Sequence, residues 1–200
     1  MILRAATIED LDQITAIYND AVSLSLVTFD IIPKDRDAQL EWLSSHSGIY
    51  PAIVAVDDVV DTTANVAVGD MADGSTSMYA DEQPWNRRPE HRQPLHERSI
   101  LGFGSLSPYR DRAAYRTTVE SSIYVHAGNR RSGTGKAIME ALLDHARTSG
   151  FHAVIARIST GNHPSIALHG SLGFEEIGLE REVGRKFGKW LDVLVMERLL

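Results

Sequence analysis

The sequence predicts one mixed α/β domain with a largely antiparallel first half, and three observations carry that reading. Alternating, strand-like stretches recur from the first residues to the last, and stretches of helical spacing separate them. One strand, Thr117 to Val125, runs through a glycine-rich turn into an amphipathic helix. Two hundred residues, 43% of them hydrophobic, suffice for a single compact domain with a full core.

Residues 2 to 6 alternate as the first strand. Thr7, followed three positions later by Asp10, has the form of a helix N-cap with an acid in the first turn. Leu11, Ile14, Ile17 and Tyr18 then keep helical spacing to about Ala21, before Ser23 to Thr28 break it. A second helix is expected after Pro33, with Leu40, Trp42 and Leu43 on its inner side, and Ala52 to Val56 reads as a strand. From 57 to 98 the composition shifts to Asp, Gly, Ser, Thr, Asn, Pro and Arg over a length no ordinary hairpin loop needs. A surface insertion between the second and third strands is expected there, flexible or partly ordered, with Val66-Ala67-Val68 and Met78-Tyr79 as anchors and a lid or dimer contact as its functional reading.

Order resumes with a strand at Ile100 to Leu106 and another at Thr117 to Val125, where Val119, Ser121, Ile123 and Val125 alternate with Glu120, Ser122 and Tyr124. The helix after the glycine-rich turn carries Ile138, Leu142 and Ala146 to about Thr148, and Gly150 stands where a C-terminal cap prefers glycine. Ala153 to Ile158 suits a buried strand, and Pro164 to Leu172 a helix closed by Gly173. Phe174 to Val183 and Leu191 to Arg198 complete the chain as strands.

Composition narrows the chemistry. With no cysteine, the chain has no disulfide, no thiolate metal site and no cysteine to carry an acyl group. A net charge of -7 disfavours a nucleic-acid surface. No apolar run approaches the roughly 20 residues of a membrane span, and Met1-Ile2-Leu3-Arg4 lacks the form of a secretory signal, so a cytoplasmic protein is expected. None of the eight histidines forms the His-x-x-x-His or mixed Cys/His spacing of zinc sites, and no metal is expected.

The segment from Val125 to Ala137 carries the strongest chemical signal. A strand that ends in a glycine-rich turn before a helix points several backbone N–H groups at one spot, where the helix dipole also favours an anion. Gly133 and Gly135 remove side-chain obstruction, while Arg130, Arg131 and Lys136 add positive charge. A diphosphate suits such a place. The turn lacks the Gly-Lys-Ser/Thr ending of an NTPase loop, and Ile138 stands where a dinucleotide fold would place its third glycine.

Arg130-x-x-Gly133-x-Gly135 after a strand resembles the coenzyme A signature of the GNAT family of N-acetyltransferases. Asn162-His163-Pro164-Ser165, and His169 four residues before Gly173-Phe174, resemble the second half of that family's cofactor site. Val119 to Val125 and Lys186 to Asp192 resemble, more narrowly, its branch acting on phosphinothricin, methionine sulfoximine or methionine sulfone. The resemblance covers nearly all of the chain except the insertion. It implies a mixed, mostly antiparallel central sheet flanked by helices, acetyl-CoA as co-substrate, a small amino-acid-like acceptor and a homodimer.

It also implies residue roles. Glu120 would accept the ammonium proton, and His169, at a position that is tyrosine in many relatives, would protonate the departing thiolate or join a proton path. Tyr124, Val125, Asn162 and the run Arg130, Arg131, Ser132, Gly133, Thr134, Gly135 and Lys136 would hold the cofactor. Phe29, Arg112, Tyr124 and, less securely matched, Arg110 would hold the acceptor, since a guanidinium suits a carboxylate or phosphinate. Trp190 would frame the acceptor pocket or join the core. Two other readings remain open: a different amine, such as a polyamine, aminoglycoside or protein N-terminus, drawn by Asp70, Asp73, Asp81 and Glu82, or a non-catalytic acyl-CoA sensor.

Overall fold

The computed structural model describes residues 1–58 and 99–200. Apart from residues 57 and 58, the expected insertion at 57–98, its two anchors and its acidic residues included, lies outside the described residues.

Seven strands form one sheet in the order β1 (Ile2–Ala5), β2 (Ala52–Val56), β3 (Ile100–Pro108), β4 (Thr118–Val125), β5 (Ala153–Ser159), β7 (Lys189–Leu199), β6 (Glu175–Lys186). Each neighbouring pair is antiparallel except β4 and β5. Four helices accompany them among the described residues: α1 (Leu11–Leu24), α2 (Arg36–Ser44), α3 (Thr134–Thr148) and α4 (His163–Ser171). The mixed, mostly antiparallel architecture is the expected one.

Each sheet face has its own core. Ile14, Ile17, Val54, Val56, Ile100 and Phe103 cluster on the face covered by α1. On the other, Ile138, Met139, Leu142 and Leu143 of α3 pack with Leu106, Val119, Val154 and Met196. Glycines in β3 let α3 lie close: a Cβ on Gly104 would stand 2.6 Å from Ile138 and 2.9 Å from the Ser122 carbonyl oxygen. The helix stripe and the strand glycines therefore fit one another, and β3 and β4 are clamped under α3.

Element starts follow local chemistry. Asp10 accepts from the Thr7 N–H at 2.8 Å and pairs with Arg4 through two hydrogen bonds of 2.6 and 2.7 Å, so the predicted cap also ties β1 to the entry of α1. That entry is a 3-10 turn at Ile8–Asp10, and α1 runs one turn further than expected, to Leu24. Asp35 caps α2 by accepting from the Ala38 N–H at 2.8 Å.

Two expectations need correction. The inner face of α2 is Gln39, Trp42 and Leu43, spaced i, i+3 and i+4, which turns Leu40 outward to 36% exposure. The last two strands are longer than expected and form a hairpin through Phe187 and Gly188, both at positive φ (48° and 75°), the pairing a tight two-residue turn requires. Trp190 is 59% exposed beneath the Arg185 guanidinium and is not part of the core.

Candidate active site

The parallel junction of β4 and β5 is short. Pairing runs from Thr118 opposite Ala153 to Glu120 opposite Ile155 and stops there, while β4 stays paired with β3 as far as Val125 and β5 with β7 as far as Ser159. Beyond Glu120 the two strands therefore part, with the Ser121 hydroxyl donating to the Ile155 carbonyl oxygen at 3.3 Å near the vertex. The His126 N–H donates to the Leu101 carbonyl oxygen at 3.0 Å, which sets the phase of the ladder. Ser122 and Tyr124 turn their backbone groups to β3, so the amides of Ile123 and Val125 face the gap.

At the far end of β4 the chain enters α3 through the expected cradle. Gly133 is the N-cap in the left-handed region at φ 88°, and Arg131 precedes it at φ 64°. Ala137 is the first residue of the helix to donate back, to the Gly133 carbonyl oxygen at 3.0 Å, so the amides of Thr134, Gly135 and Lys136 have no intrahelical acceptor. The Ser132 hydroxyl bridges to Asn129 O at 2.7 Å and lies 2.8 Å from Thr134 Oγ1, which braces the turn. Arg130, Arg131 and Lys136 are exposed around it, Lys136 3.8 Å from Glu140. The two glycines differ in their reason for being glycine. A Cβ on Gly133 would meet nothing within 4 Å, so its backbone angle is the constraint; one on Gly135 would stand 3.3 Å from Leu168 and 3.4 Å from Val125, so packing is. These free amides, open space and surrounding cations fit a pyrophosphate. Asn162 is the N-cap of α4, its Oδ1 accepting from the Ser165 N–H at 3.4 Å.

Glu120 stands at the vertex, half-buried, on the sheet face of Ser122 and Tyr124. Burial pushes its carboxyl above the ordinary 4.5; Arg157 and Arg110 oppose that shift and Glu180 adds to it. Arg157 on β5 is ion-paired with Glu180 on β6. Along the same face a cavity of about 110 Å³ opens, lined by Tyr18, Lys34, Gln39, Trp42, Phe103, Ser105, Ser107, Ser122 and Tyr124. Tyr124 stacks on Phe103 with ring centroids 5.1 Å apart and meets Tyr18 edge-on at 5.1 Å, and burial pushes its phenol up to about 12. The Tyr18 hydroxyl donates to Asp30. A larger, shallower depression between α3 and the C-terminal end of α4 holds none of these groups.

Ser107, the cross-strand partner of Glu120, is oriented by a histidine. The His46 Nδ1 lies 2.6 Å from the Trp42 carbonyl oxygen, which can only accept, so Nδ1 carries the proton; the Ser107 hydroxyl then donates to Nε2 over 3.0 Å. Burial, with Lys34 nearby, holds the His46 imidazole below its ordinary range. The serine oxygen therefore keeps its lone pairs for whatever lies beside Glu120.

His169 is 5% exposed, edge-on to Phe174 at 4.9 Å, and its Nδ1 donates to the Ser165 carbonyl oxygen at 2.8 Å. Burial lowers its pKa. A neutral ring with the proton on Nδ1 leaves Nε2 as an acceptor, so this conformation holds no proton for a leaving thiolate. Arg110 and Arg112 lie in the loop joining β3 to β4. Arg110 spreads over Tyr109 and Tyr115 at 5.0 and 5.7 Å and acts on Glu120, whereas Arg112 is exposed with no side-chain partner among the described residues. Phe29 is 43% exposed and lies against Gly184, whose missing Cβ would overlap the ring. Lys186 beside it donates from Nζ to the Thr28 carbonyl oxygen at 3.0 Å, which ties the loop after α1 to the β6–β7 hairpin.

Lys34, Gln39, His46 and Ser107 escape the reading of the sequence as site residues. Trp42 near the end of α2 with His46 four residues on, just past that end, and the polar alternation of Ser105, Ser107, Glu120 and Ser122 are the signal that would have found them.

Known proteins resemble this chain over its full extent. The profile of the acetyltransferase (GNAT) family matches residues 61–174. An L-methionine sulfoximine/L-methionine sulfone acetyltransferase of Pseudomonas aeruginosa is 33% identical over 196 residues, covering 98% of this chain and 92% of the relative. A phosphinothricin N-acetyltransferase of Streptomyces coelicolor is 32% identical over 99% of this chain and 95% of its own length. Among solved structures, a phosphinothricin acetyltransferase from Sinorhizobium meliloti in complex with AcCoA superimposes with a TM-score of 0.78 at 31% identity, covering 100% of this chain and 88% of that one.

Proposed function

The chain belongs to the acetyltransferase (GNAT) family, and from that premise we propose how its residues work and on which acceptor. It is an acetyl-CoA-dependent N-acetyltransferase. The proposed acceptor is the α-amino group of a small amino acid or analogue of the methionine sulfoximine, methionine sulfone or phosphinothricin type, as the names of its relatives suggest.

One observation carries the reading: a half-buried carboxylate, Glu120, sits where β4 and β5 part, beside backbone amides that face the gap. In the proposed mechanism the α3 cradle from Arg130 to Lys136 takes the pyrophosphate of acetyl-CoA, and Asn162, Val125 and Tyr124 flank its pantetheine arm. The amide of Ile123 or Val125 donates to the thioester oxygen, where charge develops during attack. Glu120 takes the proton of the acceptor's ammonium, for which its raised pKa suits it, and the Ser107 oxygen accepts from the same nitrogen. Nitrogen then attacks the acetyl carbon directly. As the C–N bond forms the C–S bond breaks, coenzyme A leaves as its thiolate, and the proton shed by the new amide nitrogen neutralises that thiolate. His169 positions α4 through Ser165 and Phe174 rather than supplying a proton.

Lys34 on the cavity wall, and Arg110 and Arg112 in the loop beyond Ser107, suit an acceptor with a carboxylate, and Phe29 is its proposed apolar wall. The same cations make a polyamine a poor fit. Labelled acetyl-CoA with methionine sulfone or spermidine at equal concentration tests this: N-acetylated sulfone supports the assignment, and product from spermidine alone overturns it. A homodimer is part of the proposal, supported by the exposed Ile177, Leu179 and Val183 on the edge strand β6. So is a cytoplasmic location, which suits a charged, membrane-impermeant co-substrate. Sedimentation at micromolar concentration tests the dimer, and cell fractionation the location.

A further inference from the structure

The polar groups lining the cavity beside Glu120 are hydroxyls, an amide, an indole N–H and an ammonium, with no carboxylate among them. The single formal charge on that lining is Lys34. The Asn19 side chain clasps the backbone of this lysine on both sides, its Oδ1 accepting from the Lys34 N–H and its Nδ2 donating to the Lys34 carbonyl oxygen, each at 2.8 Å. The Lys34 Nζ lies over the Tyr18 ring, 4.7 Å from the centroid, and forms no ion pair among the described residues. Asp30 accepts from the Tyr18 hydroxyl instead. Of the Gln39 amide, Oε1 is buried and Nε2 is the accessible atom, a donor without a partner among the described residues.

An amino acid whose nitrogen is held between Glu120 and Ser107 has two further ends to place. Arg110 and Arg112 lie beyond Pro108, on the side of Ser107 away from Ser105, and Arg110 acts on the Glu120 carboxyl, so the α-carboxylate belongs there. The pair Ser105 and Ser122 lies the opposite way, about 6.8 Å from Ser107 and Glu120 at a rise of about 3.4 Å per residue. That span suits an α-nitrogen at one pair and a head group three carbons away at the other. The cavity, about 110 Å³, is several times the about 30 Å³ of a water, and a head of a few heavy atoms fits it.

We infer that Lys34 reads the charge of the acceptor's side-chain head, so that the site selects amino acids ending in an anion, a phosphinate above all, over neutral heads of the same shape. The inference rests on the acceptor reading above and divides its cations: Arg110 and Arg112 take the α-carboxylate, and Lys34 takes the head. The ammonium donates to one head oxygen and offsets its charge, while Ser105, Ser122 and the Gln39 Nε2 can donate to the other. Phosphinothricin and methionine sulfone isolate the effect. Each carries a methyl group and two oxygens on its terminal heteroatom, at the same place on the same carbon chain; the phosphorus head is an anion at neutral pH and the sulfur head is neutral. Both heads accept from the serines and the amide, and only the phosphinate meets the full charge of Lys34.

The test compares kcat/KM for the two substrates with the full chain and saturating acetyl-CoA. The unmodified protein is expected to favour phosphinothricin by at least about tenfold, the scale of one hydrogen bond to a charged group. Lys34→Met, and Lys34→Gln, which keeps a donor without the charge, are each expected to lower that ratio at least about fivefold. Lys34 is partly exposed, so both variants should fold, and a cooperative melt checks it. Equal rates or a preference for the sulfone in the unmodified protein overturn the role of Lys34 and leave the acceptor class intact. So does a ratio that neither substitution changes, and an equal loss on both substrates would assign Lys34 to the α-carboxylate instead. Acetylation of neither substrate overturns the acceptor reading and this inference with it.

Discussion

Glu120 and Ile155 are the last residues paired across the parallel junction of the sheet, and the carboxylate of the first stands where the strands separate. This relationship joins two needs of acyl transfer to an amine. A strand edge freed from its neighbour offers amides to the thioester, and the residue at the vertex is buried enough for its carboxyl pKa to rise, yet open enough to meet an amine.

Glu120→Gln is expected to lower kcat by about 10²- to 10³-fold, the usual scale for a general base, with acetyl-CoA affinity by calorimetry changed less than twofold. An unchanged kcat would remove Glu120 as base. In the unmodified enzyme kcat/KM falls as pH drops toward the raised Glu120 pKa, so the limb lies above 4.5, and the substitution abolishes it. Stability moves oppositely. A carboxyl whose folded pKa is raised binds its proton more tightly in the native state, which helps below the unfolded pKa and is lost as pH rises through the folded one. At pH 7 the glutamine variant therefore melts at the same temperature or higher.

His46 and His169 are both held below the ordinary 6.5 by burial. The native state then binds fewer protons than the unfolded chain, so stability is complete above about 6.5 and declines as pH falls below it. His169→Phe is expected to cost about 1–2 kcal/mol, one buried hydrogen bond to Ser165, to flatten that decline, and to reduce kcat less than tenfold. Urea titrations at pH 7.5 and 5.5 alongside initial rates check all three. A loss of kcat beyond a hundredfold at unchanged stability would restore His169 to the chemistry.

Gly133→Ala forces a Cβ into the left-handed region at about 1–2 kcal/mol, with no clash to relieve. Rotation of the turn to escape that strain would misdirect the free amides, so acetyl-CoA affinity is expected to fall at least about fivefold, about 1 kcal/mol. Equal affinity by calorimetry would separate the cradle from the cofactor.

Gly184→Ala is expected to displace Phe29, because the new Cβ would lie 2.1 Å from the present position of Phe29 Cε1. The ring is 43% exposed and has room to swing, so the fold should tolerate the change. KM for the acceptor should rise several-fold with KM for acetyl-CoA unaffected. A change in neither would take Phe29 out of the acceptor wall.

Much of the protein is legible from local pattern. Strand alternation, helix spacing, the cap at Thr7 and Asp10, and the glycines before α3 depend on neighbours within a few residues, and each element stands within a turn or a few residues of its expected place. The turn before α3 is legible for the same reason: the free amides at a helix start come from one contiguous segment. Long-range packing set the rest. Leu40 and Gln39 exchange places because the angle at which α2 meets the sheet sets its buried face, and no apolar count would place an amide inside. Gly135 resembles Gly133 in sequence, yet only contact with Leu168 and Val125 explains its size. His169 loses its available proton to a carbonyl on its own helix, and His46 enters the site through Ser107, 61 residues away in the chain. Periodicity reports which residues face inward; what they meet there, and which polar groups go unpaired, is decided by burial among segments distant in sequence.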